Sequence, residues 1–243
     1  MLTISALSVG FRHYETLLRQ GVAWRLRDFS LTLGAGQIVA VIGASGAGKS
    51  VLAHAVLGIL PPNAVQTGQV VSVKAGFIPQ QISHLDPLAR VGSQLAWAAR
   101  RQGRAVDIAE SLKAVGLSDR VQRLFPHQLS GGMARRVFIA MALAGQPDLL
   151  IADEPTAGLD PENRDLILNI LQAHAARGGA VLLITHDLLP ALPVADRVVI
   201  LHDGQMVSIE QAVHFSGQGD ALSAPYARAL WRALPENGFI ADA

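Results

Sequence analysis

The chain contains no cysteine. That excludes disulfides and thiolate-ligated metals, and it suits a reducing compartment. Lysine is almost as scarce: of 20 basic residues only three are lysines, Lys49, Lys74 and Lys113. Against 19 acidic residues the net charge is +1, so no strong field draws the protein to nucleic acid or to an anionic lipid surface. Aromatics make up 5% and charged residues 16% of the 243 residues, while 50% are hydrophobic. One large α/β domain, or one domain with an insertion, can be built from such a chain. No basic stretch precedes the apolar residues of positions 1–10, which read as a strand and not as a secretion signal. The segment Val51–Val73 has no Lys, Arg, Asp or Glu, but Pro61-Pro62-Asn63 divides it and Gln66, Thr67 and Gly68 follow. It reads as helix, turn and strand, so no membrane span is expected.

What is present is concentrated around Lys49. Gly43-Ala44-Ser45-Gly46-Ala47-Gly48-Lys49-Ser50 matches G-x-x-x-x-G-K-S, a complete phosphate-binding loop. Ile38–Ile42 before it is a five-residue apolar run, and Val51, Leu52, Ala55, Val56, Ile59 and Leu60 recur after it at helical spacing. Strand, loop and helix are the context the motif requires. Glycines let successive N–H groups close on phosphate oxygens, and the helix N-terminus adds partial positive charge. Lys49 then faces the β/γ-phosphates, Ser50 is placed to ligate Mg²⁺, and the contact extends to Val51. The plain alternative is an accidental glycine-rich turn, expected about once in several hundred shuffled sequences.

Three further apolar runs, Leu149–Ala152, Val181–Ile184 and Val198–Leu201, read with Ile38–Ile42 as parallel strands buried on both faces. Leu2–Val9 and Phe29–Leu33 suggest an antiparallel edge, and Asp203-Gly204 a hairpin turn. Leu95–Arg104, Val106–Val115 and Met133–Leu143 read as helices, which predicts a helical subdomain over 85–145 inserted in an α/β core. An aspartate ending a buried strand beside a phosphate loop can hold Mg²⁺, and a neighbouring glutamate can polarise a water, so Asp153 and Glu154 are candidates for those tasks.

The order of motifs resembles that of ABC-type ATPases. Leu129-Ser130-Gly131-Gly132-Met133 is similar to their signature, with Met133 where Gln is usual. Asp153–Asp160 resembles their Walker B motif, catalytic glutamate and D-loop run together, Thr185-His186-Asp187 the H-loop, and Phe77-Ile78-Pro79-Gln80 the Q-loop. The resemblance implies an α/β P-loop NTPase over residues 1–243, with a mostly parallel core sheet, an N-terminal antiparallel β edge and the inserted helical subdomain. It implies ATP and Mg²⁺ as ligands, Glu154 and His186 as catalytic groups, and Ser50, Asp153 and Gln80 around the metal. Gln81 is a second possibility for the Q-loop position. Ser130, Gly131, Gly132 and Asp160 would serve a nucleotide sandwiched between this chain and a second ATPase subunit, in a homo- or heterodimer. Phe11 and Tyr14 are both candidates to stack on adenine.

Within that family, Leu57–Pro61, Leu85–Leu88 with Val91-Gly92, and Ala224–Leu230 resemble the di-/oligopeptide and nickel importer ATPases, the nickel type most closely, with 205–243 as that group's C-terminal extension. This implies a peripheral subunit on the cytoplasmic face of the inner membrane. Two separate permease subunits and an extracytoplasmic substrate-binding protein would complete the complex, with no nucleic acid bound. A soluble ABC ATPase unconnected with transport is the main alternative; it usually carries long coiled-coil insertions or tandem cassettes, and the chain shows neither. A regulatory partner in an asymmetric pair would need to have lost Lys49, Glu154 or His186, and an exporter usually has a fused membrane domain.

Overall fold

The computed structural model describes residues 1–16, 19–80 and 85–234. Two long strands open the chain, β1 (Leu2–Thr16) and β2 (Arg19–Leu33), paired antiparallel. They run well beyond the alternating segments 2–9 and 29–33 that the sequence marks. Residues 10–14 pair with 20–24 although most of them are exposed, so backbone ladder bonds carry this part of the hairpin where burial does not. β3 (Ile38–Ile42) follows, buried throughout, then the phosphate loop and α1 (Lys49–Leu57), which ends at Gly58 in a left-handed conformation. β4 (Ala64–Ser72) returns antiparallel to β1, and β5 (Ala75–Ile78) enters the parallel part of the sheet beside a later strand.

A helical segment comes next: α2 (Val91–Arg101), α3 (Ile108–Ala114), a 3₁₀ turn at Asp119–Arg123 and α4 (Gly131–Ala144). α4 starts two residues before the apolar pattern does. The Ser130 hydroxyl accepts a hydrogen bond from the Met133 N–H at 3.2 Å, and this cap offsets the poor helix propensity of Gly131 and Gly132. The core then resumes with β6 (Leu149–Asp153), α5 (Pro161–Ala176), β7 (Ala180–Thr185), the short α6 (Leu188–Ala191) and β8 (Arg197–His202). β9 (Gln205–Gln211) is hairpinned to β8 through Asp203 and Gly204, both at positive φ, as a two-residue turn of the mirror-image type demands.

The nine strands form one sheet in the order β4-β1-β2-β9-β8-β3-β7-β6-β5, parallel from β8 through β5. The continuous apolar runs have a simple structural meaning. Ile38, Ala40 and Ile42 join Leu150, Ala152, Val181 and Leu183 in one core, while Val39 and Val41 join Leu149, Ile151, Leu182 and Ile184 in another on the opposite face. Alternate residues of one strand thus serve two cores, which is why no polar residue interrupts them. β9 supplies buried Glu210, whose carboxylate accepts from the Ser223 hydroxyl (2.7 Å) and from the N–H groups of Ser223 (3.1 Å) and Ala224 (3.2 Å). That anchors α7 (Pro225–Arg232) to the sheet; residues 235–243 of the expected extension lie outside the described residues. Among the described residues no helix is long and apolar enough to cross a membrane.

Candidate active site

The three central parallel strands end level with one another: Ile42 of β3 pairs with Thr185 of β7, and Asp153 of β6 with Ile184. Loops leaving these carboxyl ends converge, as in other open α/β sheets. They enclose a cavity of about 670 Å³ lined by Ala44, Ser45, Gly46, Gly48, Lys49, Ser50, Val51, Gln80, Glu154 and His186, with Phe11 and Arg25 at its β1–β2 side. The phosphate loop is pressed tightly against its neighbours. A Cβ on Gly48 would meet the Arg25 carbonyl oxygen at 2.5 Å, and one on Gly43 would collide with the carbonyl of Leu201. Gly48 also holds φ +102°, which an L side chain resists. Ala47 is buried behind the loop, its carbonyl accepting from the Gly204 N–H at 3.2 Å.

Lys49 is 8% exposed and its ammonium donates to the carbonyls of Gly43 (2.7 Å) and Ala44 (3.0 Å), 4.0 Å from the Glu154 carboxylate. Glu154 is buried with φ +49°, an uncommon conformation for a residue with a Cβ, and its N–H donates to the Ile184 carbonyl at 2.8 Å. Thr185 donates its hydroxyl to Glu154 Oε2 at 3.3 Å, and His186 Nδ1 lies 2.9 Å from Oε1. Facing a carboxylate, Nδ1 carries the proton and Nε2 is left for another partner. The geometry leaves a carboxylate poised between a cation and an imidazole, able to take a proton from a water in the cavity.

Asp153 is 3% exposed, and its Oδ1 is buried without a hydrogen-bond partner. Burial pushes its carboxyl above the usual range, opposed chiefly by a hydrogen bond from Ser50. A buried carboxylate with a spare oxygen and a serine hydroxyl bonded to it line an adjoining groove together with Gln80, and these residues supply the oxygen donors that a hard divalent cation takes. The site therefore fits Mg²⁺, with Ser50, Asp153 and Gln80 as the residues that would hold it. Mg²⁺ bound there would neutralise charge on the β- and γ-phosphate oxygens. Gln81 lies outside the described residues.

Of the two aromatic candidates the structure brings only Phe11 to the cavity. Phe11 pairs with Ala23 and Tyr14 with Gln20 in an unbroken register, so the two rings project from opposite faces of the hairpin, and Tyr14 is 72% exposed near its tip. Tyr14 is thus removed from the site by strand alternation. Phe11→Ala is expected to weaken ATP binding by about tenfold, the order of one base–aromatic stack, with Tyr14→Ala unchanged; equilibrium titration with a fluorescent ATP analogue reads both, and equal effects would reject the assignment.

Ser130, Gly131 and Gly132 do not line this cavity. They sit at the exposed N-terminus of α4, where a Cβ on Gly131 would meet nothing within 4 Å. Asp160 is apart from the cavity too: it caps α5, accepting from the Asn163 N–H at 3.0 Å and the Asn163 amide at 2.6 Å, and these bonds lower its pKa. Sequence reasoning missed Arg25. The register passes from Val9↔Leu26 to Gly10↔Trp24, which makes Arg25 the extra residue of a β-bulge, and its guanidinium makes no hydrogen bond or ion pair among the described residues. Bulges re-aim side chains, and no local pattern announces them.

A phosphate loop, a buried acidic pair at the end of β6 and a histidine at the end of β7 define a P-loop ATPase of the cassette type. Residues 26–157 match the family model described as ABC transporter, and the chain belongs to that family. It is 36% identical over 252 residues to the oligopeptide transport ATP-binding protein OppD of Lactococcus lactis subsp. cremoris, covering 88% of this chain and 71% of that protein. It is 33% identical over 272 residues to the dipeptide transport ATP-binding protein DppD of Escherichia coli, covering 97% and 79%. Among solved structures it is similar to the ATP-binding cassette MJ0796 in a dimeric post-hydrolysis state bound to ADP and Pi. The TM-score is 0.76 at 26% identity, over 87% of this chain and 99% of that one. The protein is an ATPase that binds ATP with Mg²⁺.

Proposed function

We propose that the chain is the ATPase subunit of an importer for di- or oligopeptides, working from the cytoplasmic face of the membrane beneath two separate permease subunits that receive cargo from an extracytoplasmic binding protein. The observation that carries this reading is the position of Gln80. It lines the nucleotide cavity and also a second groove of about 1160 Å³, whose other walls include Trp97, Arg100, Arg101 and Phe138 from the helical segment. With Ser50, which also borders both spaces, Gln80 is suited to report a docked permease segment to the phosphate site. Trp97, 46% exposed, offers an apolar anchor there and the two arginines offer charge.

In this reading Glu154 is the general base, His186 orients the attacked phosphate and its water, and Lys49 with the loop N–H groups stabilises the transferred charge. Ser130–Gly132, turned away from their own cavity, would contact ATP held by a second cassette, with Asp160 and α5 alongside. The two named relatives are peptide-transport proteins, which favours peptide over nickel as cargo. Deleting the gene and measuring uptake of labelled dipeptide, oligopeptide and nickel tests this. Loss of peptide uptake, restored by the wild-type gene and not by Glu154→Gln, is the expected result. Loss of nickel uptake alone would reassign the cargo, and no loss of either would overturn the importer reading.

A further inference from the structure

Arg135 has no place in the catalytic scheme above, yet it is among the few buried charged side chains, at 6% exposure. It lies on α4, and its Nη1 donates to the Pro79 carbonyl at 2.7 Å while its Nη2 donates to the Gln80 carbonyl at 2.9 Å. The location explains the need. β5 pairs with β6 only as far as Ile78↔Ala152, so at Pro79 the ladder stops and the two following carbonyls require another donor. A guanidinium, with its planar fork, can serve both at once, and its neighbours Ala134, Val137 and Phe138 on α4 are buried, which fixes the helix that carries it. Burial works against the cation and lowers its pKa, while the nearby charges of Asp153 and Glu154 oppose that shift.

We infer that Arg135 is a positioning residue for the metal side of the site: it clamps the backbone of Gln80 and so holds that residue at the groove it lines with Ser50 and Asp153. The inference rests on reading Gln80 as a Mg²⁺ contact. Outer partners of this kind typically change metal affinity by 10–100-fold when removed. The test is a Mg²⁺ titration of the full chain with a fluorescent ATP analogue, with the nucleotide affinity in EDTA measured alongside. Arg135→Met should raise the Mg²⁺ midpoint about tenfold and leave the metal-free affinity unchanged, and Arg135→Lys, able to reach one carbonyl, should fall between. A purely structural arginine would instead lower the melting temperature and leave the Mg²⁺ midpoint in place. A folded Arg135→Met with the wild-type midpoint overturns the proposal; should that variant not fold, Arg135→Gln and Arg135→Lys are read by the same criterion. Gln80→Ala separates the two claims. If it leaves the midpoint unmoved, the metal contact falls and the role of Arg135 with it. A shift in Gln80→Ala without one in the Arg135 variants removes the clamp alone.

Discussion

Glu154→Gln will cut ATP turnover by roughly 10²–10⁴-fold while nucleotide affinity stays at or above the wild-type level. The substitution keeps the size and the hydrogen-bonding reach of the side chain, so the hydroxyl of Thr185 retains an acceptor and the φ +49° backbone carries no new strain. What is lost is the basicity needed to draw a proton from water. Lys49, 4.0 Å from that carboxylate, also loses a competing anion and is left freer to face phosphate, which is why binding does not suffer. Phosphate release by the purified protein measures the first quantity and equilibrium titration the second. Wild-type turnover would remove Glu154 from the chemistry. If two cassettes sandwich the nucleotide, the same variant will accumulate as an ATP-dependent dimer in gel filtration.

Glu154 also shows where sequence reading succeeds. The motifs around it are local: Gly43–Ser50 and Asp153-Glu154 each follow an apolar strand, and the strands are marked by uninterrupted hydrophobic runs, so both core and site were legible together. The parallel order of those strands then carries separate motifs to one edge of the sheet. The missing parts depend on relations between distant segments. Arg25 reaches the cavity through a bulge created by pairing with β1, and Arg135 meets Pro79 and Gln80 across 55 residues or more of chain. Neither has a periodicity of its own. The choice between Phe11 and Tyr14 was open for the same reason, since which face a strand residue takes is fixed by register, and the hairpin's outer half is paired without an apolar stripe to reveal it. Asp160 illustrates a different gap: its observed partners are those of a helix cap, and any role toward nucleotide depends on a second subunit.

Lys49→Ala, in contrast to the glutamate variant, will act on binding. The side chain is buried at the mouth of the loop, and two carbonyls hold its ammonium beside Glu154. At an effective dielectric of about 20, a unit charge 4 Å from a phosphate oxygen contributes on the order of 4 kcal/mol. Set against the cost of withdrawing the ammonium from its two carbonyls and its carboxylate, a fall in ATP affinity of about 10²–10³-fold is expected. Stability should change little, because position 49 opens α1 and alanine is at least as good a helix former as lysine. The melting temperature therefore serves as the control and the ATP dissociation constant as the readout. An unchanged dissociation constant in a folded Lys49→Ala protein would deny the loop its phosphate contact. Lys49→Arg discriminates further: the charge is kept, but a bulkier planar head must fit where the Gly43 and Ala44 carbonyls now close on an ammonium, so affinity should be restored only in part. Full recovery would mean that charge alone matters at this position, and no recovery that the geometry of the loop governs.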